Sequence, residues 1–411
     1  MFCCKPSNEK ISHEIVEKRT NEIFDSLIKV RRDLHKHPEL SGQEERTSKI
    51  IAEYLSNLGL EVKTGIAGYG VVGILKGGKE GRKIAWRADM DALQIDVNDK
   101  VSFKSQNKGI AHMCGHDVHT AIGLGIANVL ANQRENIKGT IYFIFQPSEE
   151  TFKGAKAMID DDLFDMIKPD EIYGAHIFPS KAGVIGIKAG ELFAYEKTIK
   201  VEFKSNDTEN ELKSLLSSIM QGLSRSKPNS KPWQLESITD SIIGLENPET
   251  IYKDYLIVLP NIRTSKEQNN IVLETTFFET NKNNLDSIPQ IIKDRIFETK
   301  HKSSFISIEY SRGNPTVFND TDLTKKAIKL LNKVYDNKSI KQIYGQVPYF
   351  NEDFIYYQQK VPGVFFFLGG SDFENDLIAM PHSPDFAVDE KAIKFGVKSF
   401  SSLILERTNN E

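Results

Sequence analysis

Cysteine is scarce: the 411 residues contain three, two of them adjacent at Cys3-Cys4, so no disulfide framework organises this chain. A reducing, cytoplasmic setting is the expectation. No apolar run approaches the length that spans a bilayer, and Met1-Phe2-Cys3-Cys4-Lys5-Pro6 lacks the apolar core of a secretory signal, so neither anchor nor leader is expected in the sequence as it stands. A start further upstream would make Cys3-Cys4 the border of a lipoprotein signal. Charge of one sign is also not in excess. A formal net charge of -4 and a pI near 6.2 give no electrostatic reason to expect a nucleic-acid partner. Histidine is absent between Ile177 and Lys300, although the chain has nine, which removes that interval from imidazole chemistry. Repeats and low-complexity tracts are missing as well.

What is present reads as a large globular chain, 39% hydrophobic and 27% charged, longer than one core usually organises. Ile15, Ile23, Leu27 and Val30 share a helical face that Ser12 is placed to cap and Pro38 ends. Ser41-Gly42-Gln43-Glu44 is a capping-box signature for a second helix carrying Ile50, Ile51, Tyr54 and Leu55 and closed by Gly59. Strand-like runs at 71–75, 84–87, 140–145, 171–177 and 184–188, with a small-residue helix from Asp117 to Ala131, predict an α/β sheet covered on both faces. After Ala194 the pattern becomes α+β, and an α/β pattern resumes with a helix over 322–335, a strand at 364–368 and a terminal helix after Asp389.

The densest chemistry lies in His112-Met113-Cys114-Gly115-His116-Asp117-Val118-His119-Thr120, one thiol and three imidazoles in nine residues. Thiolate and imidazole are the ligands a borderline-soft divalent cation prefers, so the segment reads as half of a metal site. A second oddity is Glu149-Glu150, two carboxylates where the apolar strand Ile141-Tyr142-Phe143-Ile144-Phe145 ends. Isolated histidines are more often satisfied core or surface residues, and His13, His35, His37 and His301 are read that way. His112 and His119 stand evenly between that reading and support of the ligands from behind, a part also expected of Asp89 and Asp91.

Taken in order, Arg31 to Leu40, Arg87-Ala88-Asp89-Met90-Asp91-Ala92-Leu93, the Cys114 segment, Phe145 to Glu150, Gly174-Ala175-His176, Glu352-Asp353-Phe354, Pro362 to Gly369 and His382-Ser383-Pro384 carry a resemblance. The chain resembles the M20 metallopeptidase superfamily, in the amidohydrolase branch of N-acyl-amino-acid, hippurate and auxin-conjugate hydrolases. That resemblance implies a zinc-peptidase-like, three-layer α/β catalytic domain, residues 1–194 and 311–411, with an inserted smaller α+β lid and dimerisation domain, residues 195–310. It implies two divalent ions, zinc, manganese or cobalt, held by Cys114, His116, Glu150, His176 and His382, with Glu149 uncoordinated. Consecutive side chains on extended backbone point opposite ways, so Glu150 can bind an ion while Glu149 faces a substrate. The implied reaction is amide hydrolysis of a small N-acyl amino acid or dipeptide-like substrate by metal-activated water, with Glu149 as general base, in a possible homodimer.

Members usually carry, early in the inserted domain, a Gly-rich segment whose histidine stabilises the oxyanion in the partner subunit's site. Here that region reads Phe203-Lys204-Ser205-Asn206-Asp207-Thr208, which leaves Lys204 or Asn206 as replacement donors. Loss of such a donor costs roughly 10²- to 10³-fold in turnover. Where an arginine is expected late in that domain the chain has Thr275-Thr276-Phe277-Phe278, with Arg263 nearby, and Gln94 replaces a usual proline. Two other readings compete: a non-enzymatic or weakly active metal- or ligand-binding relative, and a thiol hydrolase using Cys114.

Overall fold

A computed structural model describes residues 8–97, 101–205, 207–335 and 339–409. The described chain separates into two compact units, one of residues 1–190, 318–342 and 352–411, the other of residues 191–317 and 343–351. Cys3-Cys4 and Asn206 lie outside the described residues.

The first unit is built on an eight-stranded sheet. Its order is Glu61–Ile66, Gly70–Lys76, Lys138–Gln146, Lys79–Asp89, Glu171–Lys181, Gly363–Ser371, Ile185–Ile187 and Ile340–Gln342. The four middle strands, from Lys138–Gln146 to Gly363–Ser371, run parallel. Their apolar runs are continuous, as suits a sheet covered on both faces, and every residue of Gly363–Ser371 is buried. Register brings Asp89 beside Gln146, Arg87 beside Gly174 and Phe367 beside His176. Asp89, Gln146 and His176 therefore share the carboxyl edge of the sheet, where α/β folds place their ligands.

The helix His116–Ala131 lies wholly inside the first unit, and its small residues explain how. A Cβ on Gly123 would sit 2.9 Å from the Phe145 ring, and one on Gly125 would sit 2.4 Å from Val397 and 2.7 Å from Leu27. Glycine at both positions lets the helix approach the sheet on one side and the helices Asn8–Lys36 and Lys391–Asn409 on the other.

Two expected caps differ from what forms. The first helix begins at Asn8, so Ser12 lies in its interior. The second, Glu45–Asn57, has no capping box, because the Glu44 side chain caps none of its amides. Glu39 does that work from upstream, accepting from the Arg46 and Thr47 amides at 3.0 and 2.8 Å. Its other end is as expected: Gly59, at φ 73°, closes the helix while the Leu60 amide reaches back to the Leu55 carbonyl.

The second unit carries a five-stranded antiparallel sheet. Leu256–Val258, Asn270–Glu279, Tyr195–Phe203 and Phe305–Arg312 follow in order, with Arg263–Glu267 also pairing Asn270–Glu279. Helices Glu209–Gln221 and Ile288–Phe297 bury Leu212, Leu216, Ile292 and Ile296 with Val201, Phe203, Leu273 and Phe277.

One buried ion pair ties the last helix to the sheet. Arg407 Nε and Nη2 donate to the two Glu171 oxygens at 2.9 and 2.6 Å, and both side chains are almost fully buried. Removing the guanidinium leaves a buried carboxylate with the Tyr173 hydroxyl, at 3.2 Å, in place of its counter-charge. Arg407→Ala is expected to lower unfolding free energy by about 3 to 5 kcal/mol in urea titration, with Arg407→Met/Glu171→Leu recovering most of it. A loss below about 1 kcal/mol for the single variant would mean that Glu171 is effectively solvated.

Candidate metal centre

The residues singled out in sequence come from four separate stretches, and the first unit brings them together. The Cys114 Sγ lies 3.2 Å from His176 Nε2, His382 Nε2 lies 3.2 Å from Glu150 Oε2, and His116 Nε2 lies 3.6 Å from Glu150 Oε1 and 3.8 Å from Glu149 Oε2. Cys114, His116 and His176 form one group whose donor atoms all lie within 4.8 Å of one another. Cys114, Glu150 and His382 form a second group, and His116, Glu149 and Glu150 a third.

Local backbone makes this convergence possible. Gly115, at φ 88°, precedes the helix that starts at His116, and a Cβ there would crowd Ile177 and Phe386 at 3.3 Å. Glu149 and Glu150 follow the strand Lys138–Gln146 through Pro147 and Ser148, the latter at φ 59°. His382 also has a positive φ, 60°, and its amide donates to the Met113 carbonyl at 2.8 Å, which couples its loop to the Cys114 segment. Left-handed backbone at non-glycine residues costs free energy and persists where surrounding contacts hold it.

Three of the imidazoles are oriented from behind. His176 Nδ1 donates to the Ile177 carbonyl at 2.7 Å, which leaves Nε2 facing Cys114. His116 Nδ1 donates to Asp91 Oδ1 at 3.1 Å and aims Nε2 at the glutamates. His119 takes the supporting part: the Ile177 amide donates to its Nε2 at 2.8 Å, so the ring proton sits on Nδ1 and goes to Asp89 at 2.6 Å. Asp91 holds three groups at once, since its Oδ2 also accepts from Ser41 Oγ at 2.6 Å and from the Glu150 amide at 3.0 Å. Among the described residues His112 Nδ1 has no such partner, and burial lowers the imidazole to about 4.

Behind Glu149 stands a network that sequence reading left without a role. Arg87, fully buried, donates to Asp89 at 2.6 Å, to Glu352 at 3.2 Å and to Asp353 at 3.0 Å, while Gln146 donates to Asp353 at 2.8 Å. Asp353 in turn accepts from the Ala155 amide at 2.8 Å and so fixes the end of the Glu149-Glu150 loop. The sequence signal was available in Arg87 and Gln146, polar residues at the ends of otherwise apolar strands. Glu44, the last residue of the expected capping box, is instead buried and accepts from the Ser148 amide at 2.8 Å. Burial raises its carboxyl to about 7, with Asp91 adding to the rise and backbone amides opposing it.

Electrostatics follow from this crowding. Asp89, Glu149, Glu352 and Asp353 gather around the guanidinium of Arg87. Burial pushes the Glu149 carboxyl well up, the charges of Glu352, Glu150 and Asp353 push it further, and Arg87 opposes them. Burial and the charges of Glu150, Glu149 and Asp89 raise the Cys114 thiol. For His116 burial acts downward, but Asp89, Asp91 and Glu150 outweigh it and lift the imidazole to about 10.

The remaining histidines are engaged elsewhere. His13 pairs with Glu406 at 3.0 Å, His37 Nδ1 donates to the Asp33 carbonyl at 2.9 Å, and His301, in the second unit, lies 3.0 Å from Asp207. His35 lies 2.8 Å from Asp117, which also pairs with Arg31 at 2.8 Å. In the second unit, Arg263 faces Glu274 at 3.5 Å, and the Lys204 amide donates to the Ser304 carbonyl at 2.8 Å.

A family model described as peptidase family M20/M25/M40 matches residues 85–406. Thermostable carboxypeptidase 1 of Saccharolobus solfataricus is 31% identical over 423 aligned positions, covering 96% of this chain and 100% of that protein. The N-acetyl-L-cysteine deacetylase of Bacillus subtilis is 32% identical over 385 positions, covering 89% and 84%. Among solved structures, the Bacillus subtilis YXEP protein, described as a dinuclear metal binding peptidase from the M20 family, superposes with a TM-score of 0.76. It is 26% identical, with 95% of this chain and 100% of that chain covered.

Asp117 anchors the start of the helix that carries His116, and its titration is testable. Burial raises its carboxyl, but the charges of Arg31 and His35 outweigh that and hold it well below the usual carboxylate range. A carboxyl depressed on folding contributes stability that is present above its unfolded pKa of about 3.9 and lost as pH falls below it. Asp117→Asn is therefore expected to lower the urea midpoint at pH 7, with the gap to wild type shrinking below about pH 4. A gap unchanged across that range would refute the depressed value.

Proposed function

The chain belongs to peptidase family M20/M25/M40, and on that footing we propose that it is a metal-dependent amidohydrolase cleaving the amide bond of a small N-acyl amino acid or dipeptide-like substrate. Cys114, His116, Glu150, His176 and His382 would hold two divalent ions, with Glu149 as general base. The observation that carries this reading is a pair of orphaned atoms. His116 Nε2 and Glu150 Oε1 are buried, have no hydrogen-bond partner among the described residues, and face each other at 3.6 Å. Two donors each about 2.1 Å from a tetrahedral ion stand roughly 3.4 Å apart, so the spacing suits a shared cation. The donor set fits as well, because buried carboxylates in such excess over one guanidinium call for added positive charge.

Divalent ions held by these residues would supply an activated water and Lewis-acid polarisation. The chain's own part is proton handling and alignment. Glu149, buried and with raised proton affinity, takes a proton from the attacking water and returns it to the leaving nitrogen. Arg87 and Asp353 hold the loop so that this carboxylate keeps its direction. The relatives named thermostable carboxypeptidase 1 and N-acetyl-L-cysteine deacetylase support the substrate class. Imidazole and thiolate favour zinc, and the carboxylate admits manganese or cobalt. A thiol hydrolase leaves Glu149, Glu150 and His382 without a part, and it would be killed by alkylation and indifferent to chelation. We assign homodimerisation to the second unit, to be read by sedimentation. Among the described residues no helix is long and apolar enough to cross a membrane, and a cytoplasmic location is part of the proposal.

The test is metal analysis joined to a panel of N-acyl amino acids. About two ions per chain and hydrolysis abolished by chelation are expected, and Glu149→Ala should keep its metal while losing roughly 10²- to 10⁴-fold in turnover. Bound metal without hydrolysis of any panel member would favour a binding protein, and full activity in Glu149→Ala would remove that residue from catalysis.

A further inference from the structure

We propose that Glu44 is a positioning residue for the loop bearing Glu149 and Glu150: its carboxylate holds the Ser148 amide and so sets the direction in which the next two carboxylates leave the backbone. The inference deepens the functional reading above and rests on it for its catalytic consequence alone.

Position in sequence marks Glu44 as the N-cap of the helix Glu45–Asn57, and capping would be its ordinary employment. The structure assigns that work to Glu39, whose two oxygens take the Arg46 and Thr47 amides. Glu44 turns away from its own helix, is fully buried, and spends Oε1 on a residue 104 positions later in the chain. Its Oε2 has no hydrogen-bond partner among the described residues. A buried carboxylate with an orphaned oxygen costs stability, and beyond the amides of its own turn, Gly42 and Glu44, the Ser148 amide is the partner it reaches across the fold.

That contact falls at one of the loop's two left-handed residues, Ser148 and Phe152. Ser148 has φ 59°, a conformation that costs a non-glycine residue about 1 to 2 kcal/mol, and it immediately precedes Glu149. Its carbonyl accepts from the Gly154 amide at 3.1 Å, its amide is held by Glu44, and the Glu150 amide is held by Asp91. Ser41, three residues before Glu44, donates to that same Asp91 at 2.6 Å. The turn from Ser41 to Glu44 thus braces the loop on both sides of Glu149. Gly42, at φ 76°, allows that turn, and a Cβ there would come within 3.9 Å of Ser148 Oγ. Without the brace, Ser148 relaxes toward ordinary backbone and rotates Glu149 and Glu150 off their targets.

Two variants separate reach from charge. Glu44→Gln keeps an acceptor oxygen at the same distance and removes the charge, whereas Glu44→Asp keeps the charge and withdraws the oxygen by one methylene. In the metal-free chain, hydrogen exchange of the peptide spanning 147–153 is expected to accelerate at least about tenfold in Glu44→Asp and Glu44→Ala, with sheet peptides unchanged and Glu44→Gln like wild type. With metal, and N-acetyl-L-cysteine as probe, Glu44→Asp should lose about 10- to 100-fold in kcat at near-constant KM, with Glu44→Gln close to wild type. Unchanged exchange in Glu44→Asp overturns the proposal, as does acceleration spread through the sheet or a failure of Glu44→Gln to restore the loop. If wild type hydrolyses no acyl amino acid, the functional reading fails while the exchange comparison still decides the role of Glu44.

Discussion

Asp91 is the joint on which the centre depends. One oxygen takes the His116 ring proton, the other takes Ser41 and the Glu150 amide, and the side chain is itself out of solvent. Burial alone would raise such a carboxyl; the His116 and Ser41 bonds and the Glu150 amide reverse that and keep it ionised. An ionised hub in a dry setting is rigid because each of its bonds is charge-assisted. Through it, an imidazole from the start of a helix, a carboxylate from the end of a strand and the approach to a second helix share one frame.

The same principle extends rearward through Arg87. Its guanidinium binds Asp89, which orients His119, and Asp353, which pins Ala155 and Gln146. Positive charge is in short supply there, and the raised affinity of Glu149 for a proton follows directly. The proposed general base and the proposed cation site would in that sense be two consequences of one arrangement, carboxylates crowded beyond the capacity of the guanidinium that holds them.

Much of this was legible in the chain. The Cys114 segment and the Glu149-Glu150 pair announce themselves as charge and thiol at the boundaries of apolar runs, and the alternation of strand and helix announces the α/β sheet. The small-residue helix was equally visible, although only packing explains why Gly123 and Gly125 must be small. Three things were not legible. Ser12 and Glu44 look like caps because capping preference is local, yet helix length and the upstream Glu39 decide otherwise. The roles of Arg87, Gln146 and Asp353 depend on strands that are neighbours in the sheet and distant in sequence. The part of His119 depends on the Ile177 amide, which no local pattern reveals.

Residue chemistry by itself determined which elements can form, since helical and strand periodicity report how side chains divide between core and solvent over a few residues. It also determined the donor types on offer, a thiol, imidazoles and carboxylates, and hence the class of ion that suits them. Tertiary structure alone decided which donors meet, which nitrogen of each imidazole is free, and which carboxylates are left without a counter-charge. Those outcomes turn on parallel register and on backbone amides contributed from far along the chain, and distances of about 3 Å between such groups are a property of packing rather than of sequence neighbourhood.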